Sequence, residues 1–126
     1  DTAIPGWDAF AADETDAHDP EQLKRYAWLV LMMQDEHYRG ASVFEQADVN
    51  WEWTRRGMEL WLEQYPNSIW FLNWFARLCG AANDAETGKL LESRIGAQVD
   101  MQVWFSWSNY EFFQKWLQAP GGAIYF

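Results

Sequence analysis

Residues 65–96, YPNSIWFLNWFARLCGAANDAETGKLLESRIG, constrain the fold more than any other stretch of the chain. Pro66 ends a preceding helix, and Asn67 or Ser68 can cap a new one. From Ile69 onward the apolar residues recur at helical spacing. Leu72, Phe75, Ala76 and Cys79 share one face, Phe71 and Leu78 widen it, and Trp70 and Trp74 flank it. Gly80 to Asp84 breaks the run. Asn83 and Glu86 then stand at capping-box spacing, which predicts a second helix ending near Ile95, with Gly96 as its natural terminator. Two such helices joined by a tight corner cannot bury their faces alone, so the rest of the chain must supply partners.

The flanking sequence offers them. Asp19-Pro20 is an N-cap followed by proline at the first helical position, which predicts a helix from about Pro20 to His37. Its apolar side carries Leu23, Tyr26, Ala27, Val30 and Leu31. Trp28, Leu29, Met32 and Met33 widen that side, so this helix reads as buried nearly all round. Ser42 and Glu45 allow a short helical turn in the 41–49 connector. Asn50 caps a further helix to about Tyr65, with Trp51, Thr54, Met58, Trp61, Leu62 and Tyr65 on one face. Gly57 lies on that side, where a missing side chain lets another helix come close. Arg55 to Glu59 is an attractive i,i+4 pair on the opposite side. A last helical region opens at Asp100 and restarts near Ser108-Asn109. Pro120-Gly121-Gly122 ends it, ahead of an apolar tail that either docks on the body or belongs at an interface.

No stretch alternates with period two for long enough to make a sheet strand. The expectation is an all-α protein, an array of antiparallel helical hairpins with about five helices. Residues 1–19 form an acidic N-terminal arm, residues 20–118 a single helical domain and residues 119–126 a C-terminal tail. The 126-residue length suits one domain able to bury a core without metals or disulfides.

Composition narrows the chemistry. Nineteen acidic residues against nine basic ones give a net charge of −10, which opposes binding to phosphate backbones or anionic membranes. The longest apolar run, Tyr26 to Met33, is too short to span a bilayer, and the opening residues do not read as a signal peptide. The single cysteine, Cys79, sits inside an apolar face and reads as a small buried hydrophobe. His18 and His37 are the only histidines, too few with one cysteine for a zinc site, and no cofactor is indicated. The acids of residues 13–19 lack the spacing and glycine of an EF-hand loop. No phosphate loop, GxSxG elbow or HExxH motif occurs.

Ten tryptophans exceed what a core of this size needs. Each carries a large apolar area and one N–H that requires a partner. Trp53, Trp70, Trp74 and Trp107 lie off or beside the main stripes and are candidates for a binding groove. Asn73, a polar amide in the middle of an apolar wall, either makes a structural hydrogen bond or touches a ligand.

The hairpin at 65–96 resembles a tetratricopeptide repeat. Trp70-Phe71-Leu72-Asn73 is similar to that motif's opening, Asn83-Asp84 to its inter-helix turn, and Pro66 to the proline ending a preceding unit. Asn73 and Ala76 stand where that motif carries Gly and Tyr. Residues 44–104 also resemble a group of functionally uncharacterised bacterial proteins with a DW-type segment, a YPxSxxxLNxFAxxC stretch, an Asp-rich turn, a helix ending in Ile-Gly and a final Trp. Here these are Asp48 to Trp51, residues 65–79, Asn83-Asp84, Ile95-Gly96 and Trp104. The resemblance implies a helical, repeat-like fold and no activity.

The functional expectation is a non-catalytic protein- or peptide-binding module, with an aromatic groove, an acidic rim and a basic partner. Spare indoles and the apolar tail leave room for a homodimer. The alternative is a small-molecule or glycan site, with indoles as stacking platforms and two carboxylates in hydrolytic roles. A broad groove with half-exposed indoles favours the first. A closed pocket with two carboxyls about 5–9 Å apart favours the second.

Overall fold

A computed structural model describes residues 18–126; of the 1–19 acidic arm only His18 and Asp19 are among them, and Asp13, Glu14 and Asp16 lie outside the described residues. The described chain is all-helical. It contains α1 (Pro20–His37), α2 (Val43–Gln46), α3 (Trp51–Gln64), α4 (Ile69–Ala81), α5 (Ala85–Ile95), α6 (Met101–Trp104) and α7 (Trp107–Gln118). Five of these have 11 to 18 residues, and α2 and α6 are single turns of four.

Each helix begins on a side-chain cap. Asp19, Ser42, Asn50, Ser68, Asp84, Asp100 and Ser106 all accept a hydrogen bond from a backbone N–H of the first turn. Such a cap contributes about 1 kcal/mol. Two starts differ from the sequence expectation. Asp84, and not Asn83, caps α5; Asn83 instead takes a left-handed conformation, with φ 60°, that turns the corner. Asparagine tolerates that conformation better than most residues. The last helix restarts at Ser106, before Ser108. Phe105 breaks the path there with φ 73°, and Ser106 accepts from the Asn109 N–H at 3.2 Å.

The helices pack as sequential pairs, α1 against α3 and α4 against α5, and the pairs meet through α3 and α4. Gly57 is what brings the first pair together. A β-carbon at that position would lie 2.2 Å from the Leu23 carbonyl oxygen and 2.6 Å from Ala27 Cβ. The second pair surrounds the middle of the molecule, where every residue of α4 from Leu72 to Ala81 is buried. Helix α7 closes the far side of α5, with Leu117 against Gly88.

Buried polar groups fix the connectors. Gln34 donates to the carbonyls of Tyr38 and Ala41 and accepts from the Val43 N–H, so one amide shapes the whole α1–α2 bend. Ser42 donates to the Ala81 carbonyl at 2.7 Å and ties that bend to the end of α4. The C-terminal tail docks on the body. Ile124 N–H donates to the Gly80 carbonyl and Gly40 N–H to the main-chain oxygen of Phe126.

Candidate functional site

The nine tryptophans among the described residues divide into three kinds. Trp74, Trp104 and Trp116 are buried, Trp51, Trp53, Trp61 and Trp70 are half-buried, and Trp28 and Trp107 are exposed. Trp28, Trp61 and Trp70 meet at one groove, where α1, the end of α3 and the start of α4 converge.

The groove is built by helical spacing. Trp61 in the last turn of α3 and Tyr65, its C-cap residue, are one turn apart and stack at 6.1 Å with an interplanar angle of 18°. Phe71, reached after the Pro66–Ser68 corner, stacks on Trp61 at 5.2 Å and 11° and on Tyr65 at 6.4 Å and 12°. Three rings from two helices thus lie nearly parallel. Trp28 stands across them, tilted 57° from Trp61 and 63° from Phe71. Trp70 backs Trp28 at 5.9 Å. Trp28 is 38% exposed and Tyr65 48%, so apolar ring faces meet solvent. The open groove has a volume of about 670 Å³.

Polar groups pin the walls. The Trp61 indole N–H donates to the Lys24 carbonyl at 2.9 Å, which fixes the ring and ties α3 to α1. The Lys24 ammonium lies 4.8 Å from the centre of the Trp61 ring, a cation–π contact, and pairs with Glu21 at 3.2 Å. Arg25 completes the rim. The sequence reading expected an acidic rim. At this groove two cations stand beside one carboxyl, Glu21.

The residues singled out from sequence fall in different places. Trp70 borders the groove. Trp53 packs edge-on against Tyr26 at 5.4 Å, in a second apolar cluster with Val30, Met33 and Val43. Trp74 is buried beneath the Arg77 guanidinium, 4.6 Å from its ring. Trp107 is 59% exposed at the start of α7, which packs on α5 and α6. Asn73 is fully buried. Its amide donates to the carbonyls of Ile69 and Gln98 and accepts from Asp100 N–H and the Trp104 indole. These bonds use both amide hydrogens and leave Asn73 as a brace between α4 and α6.

Sequence reasoning placed Trp28, Trp61 and Tyr65 on core faces and Phe71 at the edge of one. A signal for Trp28 was present. Glu21, Lys24, Arg25 and Trp28 are spaced i, i+3, i+4, i+7, so this tryptophan belongs to the polar stripe of α1 and not to the buried one.

The strongly perturbed groups lie away from the groove. Burial pushes the Cys79 thiol well up and outweighs the attraction of Arg55, so the group stays a protonated thiol. Burial also lowers Arg77 to about 10, which leaves it charged at neutral pH. Its guanidinium is held between the Trp74 and Phe105 rings and donates to the carbonyl of Val103 and the main-chain oxygen of Phe126. Burial opposes ionisation of Asp84, but the Thr87 N–H and hydroxyl and the Trp51 indole hold its carboxyl below the ordinary value. Each of these is occupied in structure.

Among the described residues, no cluster of three or more His, Cys, Asp or Glu side chains is placed to hold a metal ion. None of the described helices is long and apolar enough to cross a membrane. No family model, curated protein or solved structure matches the chain.

Proposed function

We propose that this protein is a non-catalytic recognition module that takes an aromatic side chain of a partner peptide into the groove between Trp28, Trp61, Tyr65 and Phe71. The observation that carries this reading is the exposure of large, rigid rings whose positions are already set. Trp61 is locked by its hydrogen bond to Lys24 and by stacking on Phe71, so a guest ring meets a preformed surface. Aromatic residues in such pockets are the side chains that most often dominate peptide and protein binding.

The groove is open and its lining has one carboxyl, Glu21, which speaks against a hydrolytic carboxylate pair at this site. The packing of helices in sequential pairs supports, as part of the same proposal, a repeat-like architecture of the tetratricopeptide kind. A volume of about 670 Å³ also suits a small apolar molecule, and that is the second reading.

Selection of peptides from a random displayed library against the folded chain tests the proposal. The selected sequences should share an aromatic anchor. Trp28→Ala and Tyr65→Ala should each weaken binding at least 10-fold while leaving a cooperative melt, whereas Trp107→Ala should leave affinity unchanged. Failure to select any peptide, with saturable binding of a free aromatic compound instead, would favour the second reading.

A further inference from the structure

We infer that the groove is first occupied by the chain's own acidic segment, through Trp7 and Phe10, and that an outside peptide must displace it. This rests on the groove being a peptide-recognition site and assigns that site its regulation. Three observations converge.

The first is chemistry. Residues 1–17 contain the run Trp7-Asp8-Ala9-Phe10 and five acidic residues, with no lysine or arginine. Of the net charge of −10, half therefore sits in these 17 residues. The groove offers the complement: an aromatic wall with Lys24 and Arg25 on its rim. Glu21 is 81% exposed at its side chain and pairs with Lys24 at 3.2 Å; the Lys24 ammonium also donates to the Gln64 side chain. A pair whose carboxylate is so exposed is worth about 0–1 kcal/mol, so a second anion can replace Glu21 at little cost.

The second is position. The segment joins the body directly before α1, and α1 itself supplies Lys24, Arg25 and Trp28 to the groove. Trp28 lies eight residues into that helix, roughly 12 Å along its axis. Phe10 lies seven positions before Ala17, and an extended chain of that length reaches roughly 23 Å. The tether is long enough without being slack.

The third is concentration. A segment held by so short a connection experiences an effective concentration on the order of millimolar. Even a weak aromatic contact is then substantially occupied. An external partner must carry a stronger anchor, or a longer acidic flank, to compete.

The test compares the full chain with its Trp7→Ala/Phe10→Ala double variant. Each is titrated with a synthetic peptide of residues 1–17, and the Trp28 indole N–H is followed by NMR. The double variant should bind the peptide saturably and shift the Trp28 signal. The unaltered chain should bind it at least 10-fold more weakly. Raising the salt from about 0.05 to 0.5 M should weaken the interaction, as screening of Lys24 and Arg25 requires, and Lys24→Glu should do the same at low salt.

Equal binding by both chains would overturn the inference, as would absence of any Trp28 shift. A dimer that forms with concentration in the unaltered chain and is lost in the double variant would also overturn it, by placing the segment in a neighbouring copy. A neutral acetyl-Trp-Ala-Phe-amide probe separates this from the recognition role itself. If that probe shifts Trp28 and the acidic peptide does not, self-occupancy falls and peptide recognition stands. If neither binds, both fall.

Discussion

The Trp104 indole N–H donates to the Asn73 side-chain oxygen at 2.8 Å, and both residues have no exposed surface. This one bond couples the middle of α4 to the end of α6. It also settles two debts at once, since a buried indole N–H and a buried amide oxygen each lose their water partners on folding. The same oxygen accepts from the Asp100 N–H and the amide nitrogen donates to the Gln98 carbonyl, both in the α5–α6 connector. A single asparagine therefore fixes where the chain re-enters the core after α5.

Replacing Asn73 should accordingly cost more than its size suggests. Asn73→Ala leaves the Trp104 N–H, the Asp100 N–H and the Gln98 carbonyl without their partner, and the loss should be roughly 3 kcal/mol, at about 1–3 kcal/mol per unsatisfied buried group. Trp104→Phe removes the donor and keeps most of the ring, so it should cost less. Urea unfolding of the two single variants and the double variant checks the coupling. The double should be more stable than the sum of the singles implies. Strict additivity would mean that the Asn73–Trp104 bond contributes nothing.

Gly57→Ala should destabilise although alanine is the better helix former by about 1 kcal/mol. The new methyl group would meet the Leu23 carbonyl oxygen at 2.2 Å, and that oxygen is backbone. Helix α1 must therefore move away from α3, at a cost of about 1–3 kcal/mol beyond the propensity gain. The same shift disturbs the Trp61-to-Lys24 bond and loosens the groove. A thermal melt reads the first effect and the Trp61 indole NMR signal the second. An unchanged or raised melting temperature would show that the two helices do not touch at Gly57.

Alkaline pH should lower stability through Cys79 and Tyr110. Burial raises the thiol of Cys79 well above its usual range and moves the Tyr110 hydroxyl to about 12. The folded chain then keeps protons that the unfolded chain has released. Their contribution is complete below the unfolded thiol value of about 8.5 and declines as pH rises past it. The Tyr110 share declines between about 10 and about 12. Denaturant midpoints measured from pH 8 to 11 should fall, and Cys79→Ala should flatten the first part of the decline. The native thiol should also resist alkylation at pH 8 until the protein is unfolded.

The sequence by itself determined where the helices lie and what starts them. Caps, corner residues and apolar period act within about four residues, so Asp19-Pro20, Asn50, Ser68 and Gly96 declared their roles without reference to the rest of the chain. It also marked Gly57 as a close-contact point and Cys79 as a buried side chain. Local signals failed where a residue takes an unusual backbone conformation for tertiary reasons. Phe105 enters the left-handed region beneath the Arg77 guanidinium, which moved the last helix start to Ser106. Only the tertiary structure decided which aromatic rings face water. Trp28, Trp61 and Phe71 come from three helices, and whether their faces meet depends on how closely α1 and α3 pack and on the angle at which Pro66–Ser68 sends the chain into α4. Those quantities are set by contacts between residues tens of positions apart, and helical periodicity carries no information about them.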